Sequence, residues 1–358
     1  MSKTVPVVAP TLEEFEIAHE NVAQVAIQTP VLHSHYLSEL VGNDVFLKCE
    51  NLQRTGAYKL RGAFNRMSKL SAAERKMGVV AASAGNHAQG VALAAKKLGI
   101  KATIFMPVGA SLPKFQATQN YGAEVVLEGA VFAETLKAAQ AYSAQKGAIF
   151  IPPYDNIDVV TGQGTVGLEI LDQVPDVQTI LVSIGGGGLA AGVAVAAKLK
   201  AAQQGRKIKV IGVQSQNAAS YVPSLKAGKE IEIKTERTIA DGIAVAKPGH
   251  IPFELISKHI DKVVTVSDDE IAKAIVVLLE RSKQVVEPAG AAAVAALMSG
   301  AIKPKGKTVA VLSGGNIDPL LMQKIIGFGL TASERYTTIS VMLPDRPGQL
   351  VKTAEAIA

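Results

Sequence analysis

The chain has 358 residues, 48% of them hydrophobic, with one cysteine and a formal net charge of +6. That length allows two domains with sizeable cores. The lone Cys49 excludes an internal disulfide and argues against a thiolate metal site, which fits a reducing, cytoplasmic setting. The basic residues are scattered and aromatics make up only 4%, so a solvated surface is expected rather than a nucleic-acid partner. No apolar run approaches the roughly 20 residues of a membrane span. The polar start MSKTVPVVAPTLEEFE has no signal-peptide core, so no membrane partner is expected either.

In chain order, the predicted strands are VFLKCE (45–50), GVVAAS (78–83), KATIFMP (101–107), AEVVLE (123–128), AIFIPP (148–153), TILVSI (179–184), KVIGVQS (209–215) and TVAVLSG (308–314). Windows with apolar residues three and four apart separate most of them, such as 131–147 and 268–283, and predict helices. Such alternation indicates an α/β protein whose parallel sheets are covered by helices, and the unbroken apolar strands fit burial on both faces. This many strands implies more than one sheet. No internal repeat or long linker interrupts the pattern.

The stretch TILVSIGGGGLAAG (179–192) runs from a strand through Gly185, Gly186, Gly187 and Gly188 into an alanine-rich helix beginning near Leu189. Glycines there let backbone N–H groups converge on a phosphate at the positive end of a helix. A Walker loop would need Lys-Ser/Thr where Leu189 stands. A dinucleotide site is loosely matched by Gly185, Gly187 and Ala190, but the next strand ends at Gln214 without the carboxylate that would hold a ribose. A phosphate without a nucleoside remains, of which pyridoxal phosphate is the commonest source; a turn that only permits close helix–strand packing is the alternative. A pyridoxal enzyme needs a lysine, and Lys59 in ENLQRTGAYKLRGAFNRM (50–67) starts a helical pattern after the Thr55-Gly56 break.

Further motifs follow in order: SAGNHAQG (83–90), PYDNIDVVTGQGTVGLEI (153–170), ADGIAVAKPG (240–249), VEPAGAAA (286–293) and LSGGNID (312–318). With the glycine run and Lys59, this set resembles the fold-type-II pyridoxal phosphate enzymes, specifically the serine/threonine dehydratases, over roughly residues 10–330. The resemblance implies two open, twisted, mostly parallel sheets. They would lie in a large domain (1–70 and 155–330) and a small one (71–154), with the active site between them and a homodimer or homotetramer as the assembly. It makes Lys59 the lysine that bonds to pyridoxal 5'-phosphate and Gly185 to Gly188 with Leu189 the phosphate cup. It puts Asn86 on the ring hydroxyl, Ser313 opposite the ring nitrogen with Gly314 behind it, and Tyr58, Gly242 and Glu287 around the ring. Ser83, Ala84, Gly85, Asn86 and His87 would receive the substrate carboxylate, His87 by shaping the loop. The implied reaction is β-elimination of water from L-threonine or L-serine, giving a 2-oxo acid and ammonia.

Departures from the family pattern matter. Serine racemases resemble this family but carry Ser where this chain has Ala84, so racemisation is not expected, and they place an acidic cation ligand where Gln214 stands. The pair His33 and His35 lacks a third ligand, so no metal is expected. The tail TTISVMLPDRPGQLVKTAEAIA (337–358) resembles the opening of an ACT-type amino-acid-binding module, a strand, a turn and a helix, within a segment 331–358. Rival readings are a β-replacement enzyme that adds a thiol, a catalytically silent amino-acid sensor, and a nicotinamide oxidoreductase, which would show no lysine-linked chromophore.

Overall fold

The computed structural model describes residues 7–337 and 339–358. Residues 1–6 of the expected large domain and Thr338 of the ACT-like segment lie outside the described residues. Among those described, the strands are β1 (Val31–His33), β2 (Val45–Lys48), β3 (Val79–Ala82), β4 (Ala102–Met106), β5 (Glu124–Leu127), β6 (Ile149–Phe150), β7 (Thr179–Ser183), β8 (Lys209–Ser215), β9 (Lys262–Val266) and β10 (Thr308–Val311). The helices are α1 (Leu12–Ala23), α2 (His35–Val41), α3 (Lys59–Ser68), α4 (Ala72–Met77), α5 (Asn86–Leu98), α6 (Leu112–Asn120), α7 (Phe132–Lys146), α8 (Ile157–Gln173), α9 (Gly188–Gln203), α10 (Tyr221–Ala227), α11 (His250–His259), α12 (Asp268–Val277), α13 (Pro288–Met298), α14 (Pro319–Ala332) and α15 (Gln349–Ile357).

Two sheets result. One has six strands in the order β1-β2-β10-β7-β8-β9, the other four in the order β5-β4-β3-β6. Every pairing is parallel except β1 with β2. The expected parallel architecture therefore gains one antiparallel edge. Parallel neighbours need helical crossovers, and these bury both faces, so β3, β7 and β10 are buried at every position. The chain completes the second sheet between β2 and β7, and α8 carries it back.

Three expectations are corrected. The strands β1 and β9 were not predicted: β1 has only three residues, and β9 mixes Lys262 and Thr265 into an apolar run at the opposite edge. The helix expected over 268–283 ends its α-helical part at Val277 and continues as a π-helical turn, Leu278–Ser282, before Lys283 turns left-handed at φ 57°. The strand expected at the start of 337–358 is not formed; among the described residues no strand follows β10, and only the helix of that segment, α15, appears. An isolated strand has no partner for its backbone groups, and Ile339, Val341, Met342, Leu350 and Val351 are all exposed.

Helix α3 joins the two sheets. Its Leu60, Ala63, Phe64 and Met67 share a core with Val79, Val91 and Ile104 of the second sheet's side. Its other face meets α8 so closely that a Cβ on Gly62 would lie 2.7 Å from the Val159 carbonyl oxygen. Whatever sits at the first residue of α3 is thereby held between the sheets. No described helix is long and apolar enough to cross a membrane.

Candidate active site

The C-terminal end of β7 opens into the glycine run, and Gly187 caps α9 with φ 101°. The space around these glycines is already filled. A Cβ on Gly186 would come within 2.5 Å of the Tyr154 ring, and one on Gly187 would collide with the Tyr221 hydroxyl. The Gly186 carbonyl is turned away from the loop, accepting from Gly249 N–H at 3.1 Å and from the Tyr221 hydroxyl at 3.1 Å. The helical ladder of α9 is picked up by Ala191 N–H on Gly187 O at 2.9 Å, so the preceding first-turn N–H groups have no intrahelical acceptor. They face outward at the positive end of a 16-residue helix. Leu189 buries its side chain in the core and offers the loop only its backbone. These residues fit a phosphate group. Gly187→Ala would force a side chain into a left-handed position against Tyr221, and cofactor retention measured by dialysis is expected to fall roughly tenfold or more.

Lys59 is the first residue of α3. Its backbone is fixed from the other side of the cleft: Ala57 bridges Gly314, Tyr58 N–H donates to Ser313 O at 3.2 Å, and Gly315 N–H donates to Gly56 O at 2.8 Å. The Ser313 hydroxyl lies 3.2 Å from that of Ser183, the last residue of β7. The Lys59 ammonium donates to Pro153 O at 2.9 Å and lies 5.2 Å from the centre of the Tyr58 ring. Burial pulls its pKa down from 10.5 to about 8, against the opposing pull of Glu287. Only the neutral amine attacks an aldehyde, so the rate at which the cofactor-free protein takes up pyridoxal phosphate is expected to rise with pH up to about 8 and then level off. Stopped-flow absorbance across that range checks it.

Asn86 begins α5 and is clamped. Its Nδ2 donates to Glu287 Oε1 at 2.7 Å, and its Oδ1 accepts from Asn316 Nδ2 at 2.9 Å. Burial, with Asp241 nearby, raises the Glu287 carboxyl to about 7. Gly314 leaves room for that carboxyl, and Gly242 sits 3.0 Å from Ala289 by the position of its absent Cβ. Ser83 Oγ accepts from Gly85 N–H at 3.2 Å. His87 is buried, and burial beside Lys59 pulls its pKa down to about 3. The imidazole is therefore neutral, and its Nε2–H donates to Ile151 O at 2.8 Å, which ties the loop to the end of the second sheet. A cavity of about 270 Å³ adjoins these residues, lined among others by Ala84, Ser111, Lys114, Asp241, Glu287 and Asn316.

Tyr154, Tyr221, Asn316 and Lys114 escaped the sequence reading as site residues. Tyr154 and Asn316 lie inside quoted motifs, whereas Tyr221 and Lys114 reach the site only through folding. Gln214, which stands where a cation ligand would be, accepts from Tyr221 N–H at 2.9 Å. Among the described residues no group of three or more His, Cys, Asp or Glu gathers as a metal set.

Residues 22–314 match the family model described as pyridoxal-phosphate dependent enzyme, and the chain belongs to that family. It is 48% identical over 349 residues to a protein of Thermotoga maritima named L-threonine ammonia-lyase, an alignment covering 97% of this chain and 86% of that one. Among solved structures, it resembles the processed form of threonine deaminase isoform 2 from Solanum lycopersicum with a TM-score of 0.84 and 37% identity, over 92% of this chain and 99% of that one. Maize serine racemase matches with a TM-score of 0.84 and 34% identity, over 91% of this chain and all of that one, 100%. The chain is thus a pyridoxal phosphate enzyme of the α/β architecture shared by threonine deaminases and serine racemases.

Proposed function

We propose that the protein is an L-threonine ammonia-lyase that also takes L-serine, releasing 2-oxobutanoate or pyruvate together with ammonia. The observation that carries this reading is the Lys59 amine, brought to a pKa of about 8 in a cleft between the glycine cup and the Asn86–Glu287 pair. The similarity to proteins named for threonine deamination points the same way. When bound, the cofactor supplies the sink for charge left at the substrate Cα. Lys59, Gly185 to Gly188 and the backbone of Leu189 would hold it, with Asn86, Ser313 and Glu287 around the ring. Once the substrate's amine displaces it, Lys59 Nζ is free to take the Cα proton, a task suited to an amine whose pKa is drawn down to about 8. Ser313 would present a hydroxyl, not a carboxylate, to the cofactor's ring nitrogen, which would make a weaker sink and favour loss of the β-hydroxyl over transamination. Ala84 carries no proton-transfer group, so elimination is favoured over racemisation.

This reading also takes 71–154 as the small domain against a large one formed by 1–70 and 155–330, with 331–358 an ACT-like piece, in a cytoplasmic homodimer or homotetramer. The reaction is tested by incubating the cofactor-loaded protein with L-threonine and no thiol, and assaying 2-oxobutanoate. A loaded protein that makes no 2-oxo acid from threonine or serine sinks the proposal. Added O-acetylserine and sulfide would then separate β-replacement from amino-acid sensing.

A further inference from the structure

Lys114, near the start of α6, reaches over the Ser83–His87 loop. The place a Cβ on Gly85 would occupy is 3.7 Å from Lys114 Nζ, an ordinary van der Waals contact. The same ammonium lies 3.8 Å from Asp241 Oδ2 on the far side of the cleft. That is well beyond the roughly 2.7–2.9 Å of a charge-assisted hydrogen bond, so Asp241 neighbours Lys114 without engaging it fully. The Asp241 side chain is 70% exposed and the Lys114 side chain 23% exposed, so Asp241 can return to water at small cost.

Both residues line the 270 Å³ cavity, and among the described residues Lys114 is the one cation lining it, beside Asp241, Glu287 and Asp318. Two of those carboxylates are occupied: Asp318 accepts from Leu320 N–H at 2.9 Å at the start of α14, and Glu287 accepts from Asn86. The helical ladder of α5 starts with Gln89 N–H on Gly85 O at 3.3 Å, which leaves first-turn N–H groups free beside Lys114. An α-amino acid entering a cavity of this charge finds its anionic end best matched where Lys114 stands beside those N–H groups. We propose that Lys114 binds the α-carboxylate of the substrate, exchanging Asp241 for it. The proposal rests on the reading of this cavity as an amino-acid site.

The test compares L-threonine with L-threoninamide, which lacks the negative charge, on holoenzyme carrying Lys114→Met, Lys114→Arg or Asp241→Asn. Lys114→Met is expected to raise KM for threonine roughly tenfold to a hundredfold, the worth of a hydrogen bond to a charged group. Its kcat should fall far less, its cofactor absorbance should stay unchanged, and its preference for threonine over the amide should shrink by a similar factor. Lys114→Arg is expected to restore most of the affinity, and Asp241→Asn to lower KM by removing the competing anion. An unchanged KM or an unchanged preference in Lys114→Met overturns the proposal, and a raised KM in Asp241→Asn overturns the exchange. The cofactor absorbance, titrated with each amino acid, reads binding separately from turnover. A wild type that binds threonine and makes no 2-oxo acid thus defeats the ammonia-lyase reading while still testing Lys114.

Discussion

Lys59→Ala is expected to lower 2-oxobutanoate formation from L-threonine by at least about 10²- to 10⁴-fold, the range lost with a positioned acid–base group. The purified variant should also lack the absorbance of a lysine-bound cofactor. The loss is expected without misfolding, because the ammonium contributes nothing to the core that holds α3. Its side chain is only half-buried, and its single hydrogen bond goes to Pro153 O. The sign of the burial effect sharpens the point. The folded protein holds Lys59 near 8 against 10.5 ordinarily, so the unfolded chain binds more protons between those values and stability rises with pH across that window. Lys59→Met removes that slope, and its cofactor-free form is expected to melt no lower than the wild type at pH 7. A variant that is inactive because it is unfolded would refute this account, and thermal melts beside the assay decide it.

The parts of the site that were legible in the sequence are those whose chemistry is local. Four successive glycines after a buried strand mark a loop of bare backbone, because only residues without a Cβ let that backbone close in. Lys59, Asn86 and Ser313 each stand at the border of a strand or helix, where a short motif marks the change. The structure joins these segments through Tyr58 N–H on Ser313 O and through Asn86 on Glu287. Contacts made only in three dimensions left no such mark. Nothing around Tyr221 in the chain says that its hydroxyl will meet Gly186 O, 35 residues away in sequence. Nor does Lys114 in ASLPKFQ differ from any surface lysine until α6 lays it across Gly85. The edge strands β1 and β9 escaped for a related reason: one is short and the other half polar, so periodicity offers little to read. The C-terminal run ISVML carries strand propensity, but propensity does not supply the neighbouring strand that its backbone requires.

Arg61→Ala is expected to cost about 3–5 kcal/mol of folding stability, the price of leaving buried carboxylates without their partner. Arg61 lies two residues after Lys59 and is 0% exposed, as are Lys48 and Glu50, while Glu169 is 2% exposed. Its guanidinium grips Glu50 through Nε and Nη2, both at 2.8 Å, and Glu169 through Nη1 at 2.6 Å and Nη2 at 2.9 Å. Lys48 closes the cluster on Glu169 at 2.5 Å and on Thr29 O at 2.8 Å. Two cations thus balance two anions, tying α3 to β2 and α8 at the point where Lys59 must be held. Burial alone would raise the Glu50 pKa, but Arg61, helped by Lys48 and the Thr29 hydroxyl, outweighs it and holds the carboxyl below 4.5. The stability Glu50 contributes is therefore present above that value and lost as pH falls through its lowered pKa. Without the guanidinium the balance reverses: burial raises the Glu50 pKa above its unfolded value, and the variant should gain stability as pH falls from 7 towards 5. Glu50→Gln added to Arg61→Ala is expected to recover part of the loss, since the buried amide carries no charge. Urea denaturation of both variants at pH 5 and pH 7 measures the cost and its slope. Equal destabilisation at both pH values would mean that packing, and not the charge cluster, is what Arg61 contributes.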